Sequence, residues 1–418
     1  MTPTPKPASA PRKPLKSLDD ALAELLAAVE PRSATERVST FDADGRVLRQ
    51  AAVSDLQVPP QDNSSMDGYA VRSAELSAPG AVFSVSQRIP AGSAGVALQP
   101  GTVARIFTGA AVPPGADAVV PQEDCDVLTS PQDTVRMTVA VPPGQWIRRA
   151  GEDVRAGQEV LSTGERLSPA SLGLAASIGL DYLVVSARPR VALFSTGDEL
   201  VMPGEVAPAQ MRPGAIYNSN RFFLRALLQR LGCTVTDCGI VPDRRDATLA
   251  ALADAAAGHD LVLTSGGVSV GEEDHIKPAV QALGSLDLWQ INIKPGKPFA
   301  YGRVGAAHFV GLPGNPVSSF VTFLLLVRPL LLKLQAARVL APEAFRLEAH
   351  FDWPRPDRRR EFLRVRRNAA GGLELFPNQS SGVLTSAVWG DGLVDNPPGQ
   401  SIARGDSVRY IPFSGLLG

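Results

Sequence analysis

Residues 260–277 read DLVLTSGGVSVGEEDHIK, and the order of residue types in them decides the fold. An apolar strand, Leu261 to Leu263, runs into Ser265-Gly266-Gly267 and then an acidic turn, Glu272-Glu273-Asp274. Adjacent glycines let the backbone approach a ligand with no Cβ in the way. In an open α/β sheet the ligand crevice lies off the carboxyl ends of the strands, where such a turn sits. Its N–H groups suit a phosphate, and its carboxylates suit a hard cation such as Mg²⁺. A plain strand-to-helix turn uses the same residues, so the neighbours must decide.

On both sides the rhythm is βαβα. From Arg190, RVALFSTG reads as a buried strand, SNRFFLRALLQRLG as an amphipathic helix, CTVTDCGIV as a strand and DATLAALADAAAG as a helix. After the glycine turn come HIKPAVQALG as a helix, then LDLWQINI, PFAYGRV and AHFVGL as strands, and VSSFVTFLLLV as a helix. Continuous apolar strands alternating with helices predict a parallel sheet covered on both faces, the doubly wound α/β arrangement. Upstream, from about Val53 to Gly144, short β-like runs separated by Pro-Gly turns read as an inserted all-β module. From about Phe345 onward β-like runs return, including REFLRVRR, as a small C-terminal β domain.

The first three parallel strands each deliver acids to one sheet edge. Thr196-Gly197-Asp198-Glu199 follows the first, Asp243 the second, and Glu272, Glu273 and Asp274 the third. Carboxylates brought together raise one another's pKa unless a cation neutralises them. With no His or Lys in these loops, oxygen-only coordination of Mg²⁺ is the physical reading, although some of these acids also suit helix caps. In IKPGKP, Lys294 and Lys297 present two cationic heads from a stiff turn, as an oxyanion requires; two solvated surface lysines are the plainer alternative. In GLPGNP, Asn315 and Pro316 suit an N-cap and first helical position, and Gly314 leaves the helix start open to an anion. PPQDNSSMDGYAVR (59–72) and IRRAGED (147–153) are polar loops that alone read as turns and surface ion pairs.

The chain has 418 residues, 44% hydrophobic and 20% charged, with net charge −1, which predicts several soluble domains and no electrostatic attraction to nucleic acid or membrane. Three unpaired cysteines and four scattered histidines give no disulfide framework and no zinc spacing, so the cysteines read as small buried hydrophobes in a cytoplasmic protein. Residues 1–17 read as a disordered tail. Val317 to Leu334 is apolar but interrupted by polar residues, and reads as a buried core helix. P-loop and dinucleotide-binding motifs are absent.

The strings PPQDNSSMDGYAVR, RIFTGAAVPPGADAVVPQE, IRRAGEDV, VALFSTGDEL, IYNSN, TSGGVSVGEEDHIK, IKPGKPFAYG and GLPGNPVSS together resemble the molybdopterin molybdenumtransferase family, the MoeA-type proteins related to the gephyrin E domain. Each string is weak alone; their order is specific.

The resemblance implies a split N-terminal domain (18–58 and 148–187), an inserted β-barrel-like module (59–147), a molybdopterin-binding α/β domain (188–337) and a C-terminal β domain (338–418). It implies a homodimer with active sites between subunits. The implied reaction joins molybdate to adenylylated molybdopterin and releases AMP, with Mg²⁺ assisting. The adenylyltransferase that makes the preceding intermediate and downstream molybdoenzyme chaperones are the implied partners.

On that reading Asp198, Glu199, Asp243 and Asp274 hold Mg²⁺. Ser265, Gly266, Gly267, Ser269, Gly271, Pro298 and Asn315 contact the pterin or phosphate. Lys294 and Lys297, with Arg148 or Arg149, meet the molybdate anion. Asp67, Thr108 and Asp153 enter on resemblance alone, as cleft residues from other domains. Two departures stand out: Gln290 where relatives often carry a basic residue, and His275 where an aromatic hydroxyl is common. The competing readings are a molybdopterin adenylyltransferase, a scaffold protein and a catalytically idle paralogue.

Overall fold

The computed structural model describes residues 15–76, 78–128, 133–242, 244–267 and 275–417. A six-stranded sheet forms the α/β portion, in the order Thr234–Val241, Arg190–Thr196, Leu261–Ser265, Ala307–Leu312, Pro298–Val304, Gly284–Gln290. The first four are parallel to one another. Alternation sorts their side chains. Val191, Leu193, Leu261 and Leu263 enter one core with Leu224, Leu227 and Leu228 of helix Asn220–Arg230. Ala192, Phe194 and Val262 enter a second core with Leu252, Ala255, Ile276 and Val280. Both faces are therefore dry around Val191–Phe194 and Leu261–Leu263, which is why those runs are apolar at every position.

The helix after the first strand covers one face; Arg245–Gly258 and Ile276–Leu283, after the second and third strands, cover the other. The crossover direction thus reverses between Arg190–Thr196 and Leu261–Ser265, which opens a crevice at their carboxyl ends.

The sheet is not parallel throughout. Gly284–Gln290 and Pro298–Val304 pair antiparallel, as do Pro298–Val304 and Ala307–Leu312. Connections this short permit only antiparallel neighbours, because a parallel return needs a crossover of roughly a dozen residues. Helical structure then runs from Pro316 to Leu334, with a π-helical turn at Phe323–Val327. It is long and apolar enough to cross a membrane, but 83% of its apolar window is buried in protein, as a core helix requires.

Upstream, residues 43–52 and 161–185 share one small core (Ala43, Leu48, Leu161, Leu167, Leu183, Val185). Between them lies a six-stranded β module, in the order Ala118–Pro121, Gly68–Val71, Thr102–Ile106, Val82–Ile89, Thr134–Met137, Cys125–Leu128. The C-terminal sheet runs Ile293–Lys294, Arg360–Arg367, Gly392–Asn396, Ser407–Pro412, Phe345–Glu348. Its first strand therefore comes from the α/β portion, paired in parallel with Arg360 and Glu361. Cys233 is buried as expected, whereas Cys238 is exposed at the sheet edge.

Candidate active site

The crevice is built around Thr196, the last residue of the first strand. Gly266 has φ +92° and Gly267 φ +66°, the left-handed region that favours glycine. A Cβ on Gly266 would lie 2.7 Å from the Thr196 carbonyl oxygen, and one on Gly267 would lie 2.9 Å from its hydroxyl. The glycine turn thus folds directly onto the neighbouring strand end. The Thr196 hydroxyl is buried there, with no hydrogen-bond partner among the described residues. Beneath it the Ser195 and Ser265 hydroxyls meet at 3.3 Å.

Asp198 and Glu199 are exposed at this edge, and the Glu199 carboxylate folds back over Gly197. Asp243, Ser269, Gly271 and Asp274 lie outside the described residues. Among the described residues no group of three acids, histidines or cysteines converges as a complete metal cage. Two exposed carboxylates and an unsatisfied hydroxyl at one strand end are nonetheless an all-oxygen donor set, the chemistry a hard cation takes.

Sequence reasoning singled out IYNSN as a string but missed its residues as site members. Asn218 is buried, and its side-chain amide nitrogen lacks a described partner; its backbone N–H reaches Val201 O at 2.9 Å. Asn220 donates to the Gly314 carbonyl at 2.7 Å and ties this segment to GLPGNP. Asn315 holds the N-cap position, yet its side chain makes no capping hydrogen bond and is exposed. Its amide is therefore available to a ligand at the helix start.

The two lysines differ. Lys294 donates to Glu361 at 3.2 Å and lies 3.4 Å from Asp357. Glu361 is fully buried and also accepts from Trp353 Nε1 at 2.7 Å. Hydrogen bonds from Arg359, with its charge and that of Lys294, hold the Asp357 carboxyl well below the usual range. Lys294 is thus engaged by acids of the C-terminal sheet, a partnership no local spacing shows. Lys297 is half-buried and pairs with no described carboxylate. Gly296 between them packs on the core helix, where an added Cβ would lie 2.4 Å from Thr322 Oγ1.

Another missed residue is Arg364, fully buried without a carboxylate partner among the described residues. Its guanidinium donates to Ser386 Oγ at 3.1 Å and to the Phe362 and Ser380 carbonyls. Burial pulls its pKa down to about 10. The adjoining Ser381 carbonyl accepts from Val317 N at 2.9 Å, so this loop lies against the start of the core helix.

A second cluster sits at one end of the β module, beside the strand ends at Gly68 and Ile106. Asp67 accepts from both the N–H and the hydroxyl of Thr108, and these bonds hold its carboxyl below the usual range. Asp62 accepts from Arg149 Nη1 at 2.6 Å and Ala150 N at 2.9 Å, which joins the two polar loops that sequence reading left separate. Arg148 pairs in backbone register with Asn63, and Asp153 is exposed nearby. No described hydrogen bond or ion pair links this cluster to the α/β crevice.

Comparison with known proteins matches this layout along the chain. Family models for the MoeA N-terminal region (domain I and II), a probable molybdopterin binding domain and the MoeA C-terminal region (domain IV) match residues 16–179, 192–333 and 346–413. The molybdopterin molybdenumtransferase of Haemophilus influenzae is 38% identical over 412 residues, 96% of this chain and all of that protein. Molybdopterin molybdenumtransferase 2 of Mycobacterium tuberculosis is 41% identical over 324 residues, 74% of this chain and 76% of that protein. The crystal structure of the molybdopterin biosynthesis moeA protein from Pyrococcus horikoshii superposes with a TM-score of 0.82 at 26% identity, covering 96% of this chain and 100% of that one. The chain belongs to the molybdopterin molybdenumtransferase family.

Proposed function

We propose that this enzyme inserts molybdenum from molybdate into adenylylated molybdopterin and releases AMP. The observation that carries the reading is the Gly266-Gly267 turn folded onto Thr196 at the reversal of the sheet, within a chain matched over 96% of its length by a molybdenumtransferase. The Gly266 N–H is spent on the Leu312 carbonyl at 3.0 Å, so the Gly267 N–H, with Ser265, is left to hold a phosphate or the pterin; Pro298 and the uncapped Asn315 border the same edge. Asp198 and Glu199, with Asp243 and Asp274, would hold Mg²⁺, which when bound neutralises phosphate charge. Molybdate is an anion and needs cations: Lys297 and the acid-free Arg364 are the better candidates, since Lys294 already faces two carboxylates.

Asp67, Thr108 and Asp153 act in this reading from a second copy. Among the described residues their cluster has no bonded link to the crevice of its own chain, and a homodimer would bring it there. The protein is read as cytoplasmic, with the adenylyltransferase that supplies its substrate as a partner. That adenylyltransferase activity is disfavoured here, because the matches extend through residues 16–179, outside the α/β portion.

The test is AMP release from adenylylated molybdopterin, with and without molybdate, in Mg²⁺ buffer. Molybdate-dependent release is expected, with Asp198→Asn and Asp274→Asn each needing about tenfold more Mg²⁺ for half-maximal rate. Consumption of ATP and molybdopterin instead would move the chain to the preceding step.

A further inference from the structure

The β module has a feature that this reaction does not use. Arg88 and Arg105 lie on neighbouring parallel strands in direct register, and Tyr69 continues the same row on the next strand. Neighbouring strands are only about 4.8 Å apart, and like charges set side by side on them oppose folding. Both guanidinium groups sit over one ring, at 4.5 and 4.7 Å from the Phe107 centroid. Arg105 is oriented by the Gly68 carbonyl at 3.0 Å and Gln122 Oε1 at 2.7 Å. Arg88 makes no hydrogen bond or ion pair among the described residues. Asp133 lines the same space and pairs with neither arginine. The row faces an open trough of about 800 Å³ at the mouth of the module. A concave site with two convergent guanidinium groups, neither ion-paired to a described carboxylate, fits a tetrahedral oxyanion, which accepts paired N–H donors.

We propose that the mouth of the β module binds a phosphate group between Arg88 and Arg105, next to the Asp67–Thr108 pair. Gly68 and Phe107, which adjoin Asp67 and Thr108 in the chain, are among the residues the arginines touch, so an occupant would stiffen both strand ends carrying that pair. The proposal does not depend on the molybdenum reaction. Free phosphate and a nucleotide monophosphate share the required chemistry.

The test uses the full chain and Arg88→Gln, with calorimetric titration of inorganic phosphate and, separately, AMP. Melting is followed in phosphate and in chloride at equal ionic strength. The variant should bind one phosphate fewer per chain and lose about tenfold or more of the affinity at that site. In chloride it should melt no lower than the parent, because a like-charge contact has been removed. Arg88→Lys, which keeps charge but not the fork, should fall between. AMP tighter than phosphate would identify a nucleotide monophosphate as the occupant; equal affinity would identify free phosphate. Unchanged phosphate stoichiometry in Arg88→Gln overturns the proposal. So does an equal loss of stability in both buffers, which would make Arg88 a stacking partner of Phe107 and nothing more. AMP release measured on the same samples keeps this outcome separate from the fate of the proposed reaction.

Discussion

The Thr108 N–H and the Thr108 hydroxyl both donate to one oxygen of Asp67, each at 2.8 Å, across a gap of 41 residues in sequence. Thr108→Val keeps the shape and the backbone bond but removes the hydroxyl donor. Asp67 should then titrate closer to an ordinary aspartate, as a carboxyl-carbon NMR titration would read. AMP release should fall roughly tenfold, the loss expected for one charge-assisted hydrogen bond at a working carboxylate. An unmoved titration would mean the N–H alone holds the charge.

Gly266 and Gly314 make a matched pair of substitutions. Gly266→Ala places a methyl 2.7 Å from a backbone oxygen at φ +92°, whereas Gly314→Ala meets no atom of the described residues within 4 Å. The first should cost about 1–3 kcal/mol and most of the activity. The second should stay within about 0.5 kcal/mol of the parent. Denaturant melts with AMP-release assays check both; equal effects would dismiss the close approach.

Lys294 and Lys297 should separate by readout. Lys294→Ala leaves the fully buried Glu361 without its cation and should lower stability by about 1–2 kcal/mol, discounted because the lysine is partly solvated. Lys297→Ala should leave melting nearly unchanged and raise the molybdate KM by about tenfold. The reverse pattern would return the anion to Lys294.

His308 supplies a pH effect with a defined sign. It is buried, with Nδ1 2.8 Å from the Tyr301 hydroxyl, and burial, then the Arg303 charge, pushes its pKa from 6.5 down to about 4. Between those values the unfolded chain binds a proton that the folded chain refuses, so stability drops as pH falls through that window. The contribution is up to about 3 kcal/mol. His308→Gln should lose less stability than the parent between pH 6.5 and pH 4 by that amount, measured by urea melts at each pH. Parallel curves would place His308 in solvent contact.

The central strands of the α/β portion were legible because VALF and LVL are apolar at every position, and burial on both faces demands that. The glycine turn was legible because few residues tolerate its backbone. The antiparallel end of the sheet was less so: PFAYGRV and AHFVGL look like parallel strands until the two residues between Val304 and Ala307 are counted. Partners distant in sequence were not legible at all. Nothing near Lys294 announces Glu361, 67 residues on, and nothing in REFLRVRR says that Arg364 alone turns inward with no acid to meet it. Asp243 and Asp274, half of the expected acidic set, lie outside the described residues, so their place at the edge stays a matter of sequence.

The strand Ile293–Lys294 belongs to the C-terminal sheet by hydrogen bonding and to the α/β portion by covalent chain. Its sequence neighbours Pro295 to Lys297 form the turn that packs on the core helix. Recombination between relatives, natural or engineered, that joined a new tail after residue 337 would therefore graft a sheet onto a foreign edge strand. The heritable unit is the tail together with residues 291–297, and chimaeras that respect that pairing should outperform those cut at the linker.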